Sequence, residues 1–262
     1  MSFNTGCLFA LTTALAVATS ACSASPARVA RVNEAPLRCH GGLIQTAHET
    51  KQYAGCTEIE GDLRIEDAAV SDLSELASLR TVRGALVIAQ NAELSALTGL
   101  EHLSSVDRLE IDDNPALSSL SALHSLQSAP VVRIRNNPEL ASVHGLEGLQ
   151  RIETLALVND AVIETSGLEH LSEVGDLIIA NNPKLISLRG LNGVTRARSV
   201  SIKNNRLLCA RLGLLPALGE VSDTLSLAAN QSVSKREAEE LRRQVKVTAS
   251  RGINSGGELA LH

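Results

Sequence analysis

The chain has 262 residues, enough for one large domain or a short array of repeats. It contains no Trp, one Tyr and two Phe, so its core has to be aliphatic and nucleic-acid binding by base stacking is disfavoured. The net charge is −5, and residues 57–195 carry 21 acidic and 9 basic side chains whereas residues 196–262 carry 6 and 11. Because an acidic surface repels nucleic acid, we expect no nucleic-acid partner.

Residues 1–21 have the pattern of an export signal. An apolar run over residues 8–18, too short to cross a bilayer stably, is followed by small residues and Cys22. The stretch TSAC at 19–22 resembles a bacterial lipobox. This resemblance implies that Cys22 becomes a lipid-carrying N-terminus and that the lipid is the only attachment to a membrane.

The residues after Cys22 bear on its destination. The residue after Cys22 is Ser23, whereas another sorting class has Asp at this position. This resembles the pattern of lipoproteins sent to the outer membrane of Gram-negative bacteria. The alternative is a periplasmic or secreted protein without a lipid, cleaved after Ala21 or Ala24. In the lipidated form, residues 22–38 are expected to be a flexible tether.

Three cysteines remain after the leader. Export implies an oxidising compartment, and Cys39 and Cys56 enclose a 16-residue loop whose closure is worth about 3 kcal/mol. We therefore predict a Cys39–Cys56 disulfide, which pins an incomplete first coil over residues 39–56. Cys209 is left over, and we expect it to be a buried, inert thiol.

A repeated pattern covers most of the chain, as in VRGALVIAQN at 82–91 and VGDLIIANNPKL at 174–185. A fixed period of 22 to 24 residues predicts a solenoid whose coils each contribute a short strand. The units begin near Thr57, Thr81, Ser105, Ser128, Arg151, Glu173 and Arg196, with a less regular eighth from about Glu220. About eight coils over residues 57–233 are thus expected.

Each unit contains a pair of apolar residues separated by one outward residue. This alternation is typical of a half-buried strand, and stacked coils would join their strands into a parallel sheet. The predicted pairs are Leu63/Ile65, Leu86/Ile88, Leu109/Ile111, Val132/Ile134, Leu155/Leu157, Leu177/Ile179, Val200/Ile202 and Leu225/Leu227.

A polar residue follows each strand at a constant position. The chain has to turn there, and an Asn side chain, which both donates and accepts, can satisfy the backbone groups that the turn leaves unpaired. The predicted column is Asn91, Asn114, Asn137, Asp160, Asn182, Asn205 and Asn230. Asp160 departs from it, because an ionised Asp can only accept, so we expect a local adjustment. Calcium binding is disfavoured because the column lacks a carboxylate cluster.

Apolar residues spaced by three follow the column, as at Leu117, Leu120, Leu123 and Leu126. This spacing favours short 3₁₀-like or extended return arms over long helices. At the far end, SKRE at 234–237 is a capping box that predicts a helix to about Gln244 and a last short strand at 245–247.

The repeat resembles leucine-rich repeats and is most similar to the receptor L-domain type. The motifs that carry the likeness are IEGDLRI at 59–65, the stretches at 82–91 and 174–185, and GLEHL at 99–103 and 167–171. The resemblance spans residues 39–230. It implies a right-handed coil and recognition of a protein or glycan without catalysis, as in bacterial surface lipoproteins of similar pattern.

The expected fold class is therefore a repeat solenoid, mainly β. It is a right-handed leucine-rich-repeat or β-helix-like coil with a parallel strand sheet, short return turns and a C-terminal capping helix. The solenoid is expected to span residues 39–249, with an N-terminal cap at 39–56 and a C-terminal cap at 234–249. The tail at 250–262 is expected to be disordered.

Motifs for catalysis are missing from the sequence. It has no glycine-rich phosphate loop, no G-x-S-x-G and no H-E-x-x-H, and its histidines do not form a column. We therefore predict no catalytic residue, no metal ligand and no cofactor.

The outward strand residues offer a candidate recognition site. Glu110 and Asp112 lie beside Arg133 and Arg135 of the next strand, so we expect cross-strand ion pairs. The following strands present an apolar patch bordered by cations. The predicted partner-binding residues are Arg133, Arg135, Ala156, Val158, Ile178, Ala180 and Lys203. The hypothesis is a cell-envelope recognition module, and the alternative is a structural or spacer protein without a dedicated ligand.

Overall fold

The computed structural model describes residues 36–209 and 214–248. The predicted signal peptide, Cys22, the tether up to residue 35 and the tail at 250–262 lie outside the described residues. Their assignment stays a prediction.

One parallel sheet contains ten strands, each paired with the next in chain order. The predicted parallel sheet is thereby confirmed. The strands are β1 Arg38–Thr46, β2 Glu58–Ala69, β3 Thr81–Ala89, β4 Ser105–Asp112, β5 Val131–Arg135, β6 Arg151–Val158, β7 Glu173–Ala180, β8 Arg196–Lys203, β9 Glu220–Ala228 and β10 Lys246–Val247. In the described part of the chain, helices α1 Ala47–Thr50 and α2 Lys235–Gln244 lie near the two ends of the sheet.

The strands stack in register through equivalent residues of the repeat. Leu63 pairs with Leu86, which pairs with Leu109, and the same relation continues along the sheet to Leu225. The inward residues of the central strands are fully buried, and only Leu225 of the predicted pairs is half-buried. Since each coil covers the apolar face of its neighbours, the interior is one continuous aliphatic core.

β5 is shorter than the repeat predicts. The unit was expected to begin near Ser128, but the strand begins at Val131. Pro130 lacks the N–H that a continued ladder requires, while its carbonyl accepts from Glu153 and Thr154 of the next strand. Ser128 keeps only an isolated bridge to Ser105.

The return arms contain short 3₁₀ turns, as the spacing predicts. Among the described residues they lie at Lys51–Tyr53 in the first coil and at Ser74–Leu76, Ser121–Leu123 and Arg189–Leu191. In other arms a GLE sequence makes a tight corner, as at Gly99, whose φ is +109° and whose N–H donates to the Glu101 carboxylate. Gly145 with Glu147 and Gly167 with Glu169 repeat this contact.

The first coil is held by the predicted disulfide. Cys39 and Cys56 are bonded, which confirms that prediction. The chain joins the sheet slightly before the expected start of the solenoid, since the Leu37 carbonyl accepts from Thr57. Helix α1 was not predicted, although Thr46 and Glu49 form a capping box of the kind recognised elsewhere in the sequence.

Helix α2 begins after Ser234, whose capping box with Glu237 is present. Ala238 and Leu241 are buried, and β10 pairs with β9 directly after the helix.

The expectation that Cys209 is buried is wrong. Its thiol is free and exposed. The Cys209 N–H donates to the carbonyl of Ile186, whose own N–H donates to Ile163. Cys209 therefore continues a line of outward residues in which Ile163 and Ile186 are also exposed.

Two glycines with positive φ allow a test of the close packing between coils. A Cβ at Gly99 would lie 1.9 Å from the Leu73 carbonyl oxygen, whereas a Cβ at Gly61 (φ +89°) would have no neighbour within 4 Å. We expect Gly61→Ala to destabilise the chain by about 1–2 kcal/mol through backbone strain alone. Gly99→Ala should lose at least about 2 kcal/mol more, because the corner and the neighbouring coil must also separate. Urea unfolding of both variants measures the difference, and equal losses would contradict close coil packing at this corner.

Candidate functional site

The predicted polar residues form a continuous hydrogen-bonded column inside the turns that follow the strands. We call Asn91, Asn114, Asn137, Asp160, Asn182, Asn205 and Asn230 the inner column. Each Oδ1 accepts the backbone N–H of the equivalent residue in the preceding coil, as from Asn91 to Asn114 at 3.1 Å. Each Asn Nδ2 donates to a strand carbonyl of that coil, as from Asn114 to Ile88 at 2.9 Å.

A left-handed residue precedes every member of the inner column. Its φ lies between +54° and +60° in the coils from Gln90 to Ala229. Left-handed backbone at a non-glycine residue is uncommon and favours Asn and Asp, which agrees with the residues found at most of these positions. The turn geometry is therefore the same in every coil, and this is why the column stays aligned.

Asp160 is the one carboxylate of the inner column. Its Oδ1 accepts from the backbone and side chain of Asn137 at 2.9 Å and 3.0 Å, and its N–H donates to Asn182. Its Oδ2 is buried without a hydrogen-bond partner. Burial raises the pKa of Asp160 to about 6, although the hydrogen bonds from Asn137 act in the opposite direction.

A second column lies beside the first and was missed in the sequence. Asn159 donates to Asn136 at 2.8 Å, and Asn204 donates to Asn181 at 2.9 Å. These four residues, which we call the outer column, are the left-handed residues themselves and are half-buried or exposed. The three NN pairs and the Asn159-Asp160 pair of the repeat were the available signal, but only the second residue of each pair was assigned a role.

The outward face of β4 and β5 carries the expected ion pairs. Arg133 Nη1 lies 2.9 Å from Glu110 Oε1, and Arg135 Nη2 lies 2.7 Å from Asp112 Oδ2. Asn136 of the outer column also donates to Asp112. The charges of this half of the face are thus largely neutralised by one another, and exposed pairs of this kind stabilise by less than about 1 kcal/mol.

The apolar patch of Ala156, Val158, Ile178 and Ala180 lies on β6 and β7, next to the ion pairs. Ile178 is 36% exposed, and Val158 and Ala180 are half-buried. Ala156 points outward as expected but is only 6% exposed. Its cross-strand neighbours, Arg133 and Ile178, both carry longer side chains. Lys203 borders the patch on β8 and is exposed.

A groove of about 1030 Å³ follows the beginnings of β6 to β9, away from the patch. Its charged lining residues are Arg151, Glu153, Glu173, Arg196, Arg198 and Glu220. Arg196 lies 3.6 Å from Glu173, and Arg198 is paired with Asp176. With both signs of charge interspersed, this groove does not favour a ligand of either charge.

Residues suited to metal binding are dispersed over the part of the chain that the structure describes. There, no three His, Cys, Asp or Glu side chains are close enough to hold a metal ion. His102, His124, His144 and His170 are all exposed. Within residues 36–209 and 214–248, no helix combines the length and apolarity needed to cross a bilayer.

The protein is thus a mainly β solenoid with one long parallel sheet and a mixed polar and apolar outward face. The model of the Receptor L domain family matches residues 55–148, which include β2 to β5. The sheet and its repeat fit a receptor L-domain solenoid. A comparison with curated proteins gives no match.

The two columns predict different sensitivities to substitution. Asn114→Ala removes the acceptor of the Asn91 N–H and the donor to Ile88, so we expect a loss of at least about 3 kcal/mol. Asn159→Gly keeps the left-handed turn and loses one exposed hydrogen bond, so its effect should stay below about 1 kcal/mol. Thermal and urea unfolding compare the two. A small loss for Asn114→Ala would show that the inner column does not support the turns.

Proposed function

We propose that the chain is a non-enzymatic recognition module of the cell envelope that binds a protein partner on the outward face of β5 to β8. The Receptor L domain match supports a ligand-binding surface domain, and the absence of catalytic motifs from the sequence agrees with it. The observation that carries the proposal is the apolar patch beside the paired Arg133 and Arg135 and the exposed Lys203.

The composition of the face is suited to a protein. Protein interfaces combine an apolar centre with a polar rim, and arginine is enriched in them. Ile178 supplies the most exposed apolar group, while the side chains of Arg133 and Arg135 are about two-fifths exposed and can still meet acidic groups of a partner. A partner with an apolar centre and acidic neighbours therefore fits best.

The expected location of the chain outside the cytoplasm also supports a recognition function. The Cys39–Cys56 disulfide and the Receptor L domain match indicate an exported or extracellular protein. We infer that Cys22 carries a lipid that anchors the chain to the outer membrane, with the residues after it as a tether. We further infer that the coil is right-handed, because connections between parallel strands almost always are. We also infer that α2 covers the last coil, since Leu241 of this helix is buried.

The alternative function is a structural spacer of the cell surface. The neutralised ion pairs on β4 and β5 favour it, because they leave much of the face satisfied without a ligand. A spacer would touch its surroundings without preference, whereas a recognition module would place one protein on the patch.

A crosslinking experiment separates the two functions. A photoreactive amino acid at Ile178 on intact cells should capture one dominant protein, while the same group at exposed Ser118, in a return arm, should not. Ala180→Glu should reduce that capture at least tenfold, about 1.4 kcal/mol, because it places a charge in the apolar patch. Ser118→Glu is the matched control. A diffuse set of products from Ile178, unchanged by Ala180→Glu, would favour the spacer.

The anchor can be tested separately. Labelled fatty acid should be incorporated into the full chain and lost in Cys22→Ala, with the altered chain released from membranes. Unchanged labelling would contradict attachment at Cys22, and no labelling of either form would favour plain secretion.

A further inference from the structure

The inner column has one gap, and it lies at Asp160. The six asparagines of the column each donate from Nδ2 to a strand carbonyl of the preceding coil: Ile65, Ile88, Ile111, Leu157, Ile179 and Ile202. Ile134 holds the equivalent position for Asp160, since it pairs with Leu157 in the sheet as Ile111 pairs with Ile134. The Ile134 carbonyl therefore receives no hydrogen bond from a side chain of the inner column, unlike the six carbonyls named above.

Asp160 Oδ2 and the Ile134 carbonyl belong to the same position of the repeat. Asp160 Oδ2 occupies the place that Nδ2 has in an asparagine, and it is buried without a hydrogen-bond partner in a residue that is 1% exposed. An ionised carboxylate would set a negative oxygen on the side of a carbonyl oxygen, in a residue almost fully removed from solvent. Burial of an unpaired charge is the costlier state by far.

We propose that Asp160 is a proton-binding site, in which the neutral carboxylic acid donates its Oδ2–H to the Ile134 carbonyl and so completes the inner column. The proton takes the place of the amide hydrogen that every other coil provides. Oδ1 remains free to accept from Asn137, so the existing bonds of the column are retained.

The charged neighbours favour the neutral form. Asp112 on β4 raises the pKa of Asp160 further, in addition to its burial. Arg135, on the strand of the preceding coil, is directed to Asp112 at 2.7 Å. On the other side, in the turn after β7, the column neighbour is the uncharged Asn182.

Protonation makes the stability of the fold depend on pH in a defined direction. The ordinary pKa of an aspartic acid is about 3.8 and the folded value is about 6, so the folded chain binds the proton more tightly than the unfolded chain. Stability from this group therefore rises as the pH falls from about 6 to about 4 and is constant below that window. The difference between the two pKa values corresponds to about a 100-fold change in the folding equilibrium, or about 3 kcal/mol.

The consequence is local as well as global. Asp160 lies two residues after Val158, at the end of the strand that carries half of the apolar patch. Proton uptake adds one hydrogen bond to the turn there, so the middle of the sheet is held more firmly in mildly acidic surroundings.

The test uses the full chain with Asp160→Asn and the control Asp113→Asn, which removes an exposed carboxylate near the column. The free energy of unfolding in urea is measured from pH 7 to pH 4 for each variant and for the unaltered chain. Taking the difference at each pH removes the contributions of the other titratable groups. Asp160→Asn should be more stable than the unaltered chain at pH 7. The ratio of their folding equilibrium constants should fall by up to about 100-fold between pH 7 and pH 4. Asp113→Asn should show no such trend.

A direct measurement accompanies it. The ¹³Cγ resonance of Asp160 in the folded chain should titrate near pH 6, and exchange of the Asn137 amide proton should slow as the acid becomes neutral. A carboxylate signal that persists at pH 5 would overturn the proposal, whether or not Asp160→Asn folds. A stability difference between the unaltered chain and Asp160→Asn that is the same at pH 7 and pH 4 would overturn it as well.

Discussion

The structure depends on satisfying backbone hydrogen bonds at the turn that ends each strand. A solenoid buries this turn between two neighbouring coils, where water cannot complete its bonds and an unpaired group is expensive. The inner column solves the problem with one side chain per coil, which binds both the preceding strand and the equivalent turn. The left-handed residue before it aims that side chain inward.

This constraint explains why an almost purely aliphatic chain can hold a long sheet. Once the turns are aligned, leucine, isoleucine and valine at fixed positions meet their equivalents in the next coil and form one continuous core. Large aromatic side chains are not required, because each coil has the same cross-section as its neighbours. The corners at Gly99, Gly145 and Gly167 bring the return arms close enough to complete this packing.

A regular interior leaves the outward face free to vary, and function is best sought in that variation. Its first half is occupied by ion pairs that neutralise each other, and its second half presents Ile178 and its small neighbours. The coil of β6, which precedes that of Ile178, contains the exception within the interior, Asp160, where a carboxyl replaces an amide. The departures from the repeat thus cluster around β6, both on the surface and beneath it.

The sequence by itself determined the periodicity, the strands, the inner column and the disulfide, because each follows from spacing that is local or repeats along the chain. Only the tertiary structure decided which individual side chains are buried or exposed, because this depends on the side chains of neighbouring coils. Ala156 faces outward yet is nearly buried, with Arg133 and Ile178 as its cross-strand neighbours. Cys209 continues an exposed line rather than filling the core. In each case a residue's own type leaves its environment open, since burial is set by residues one coil away.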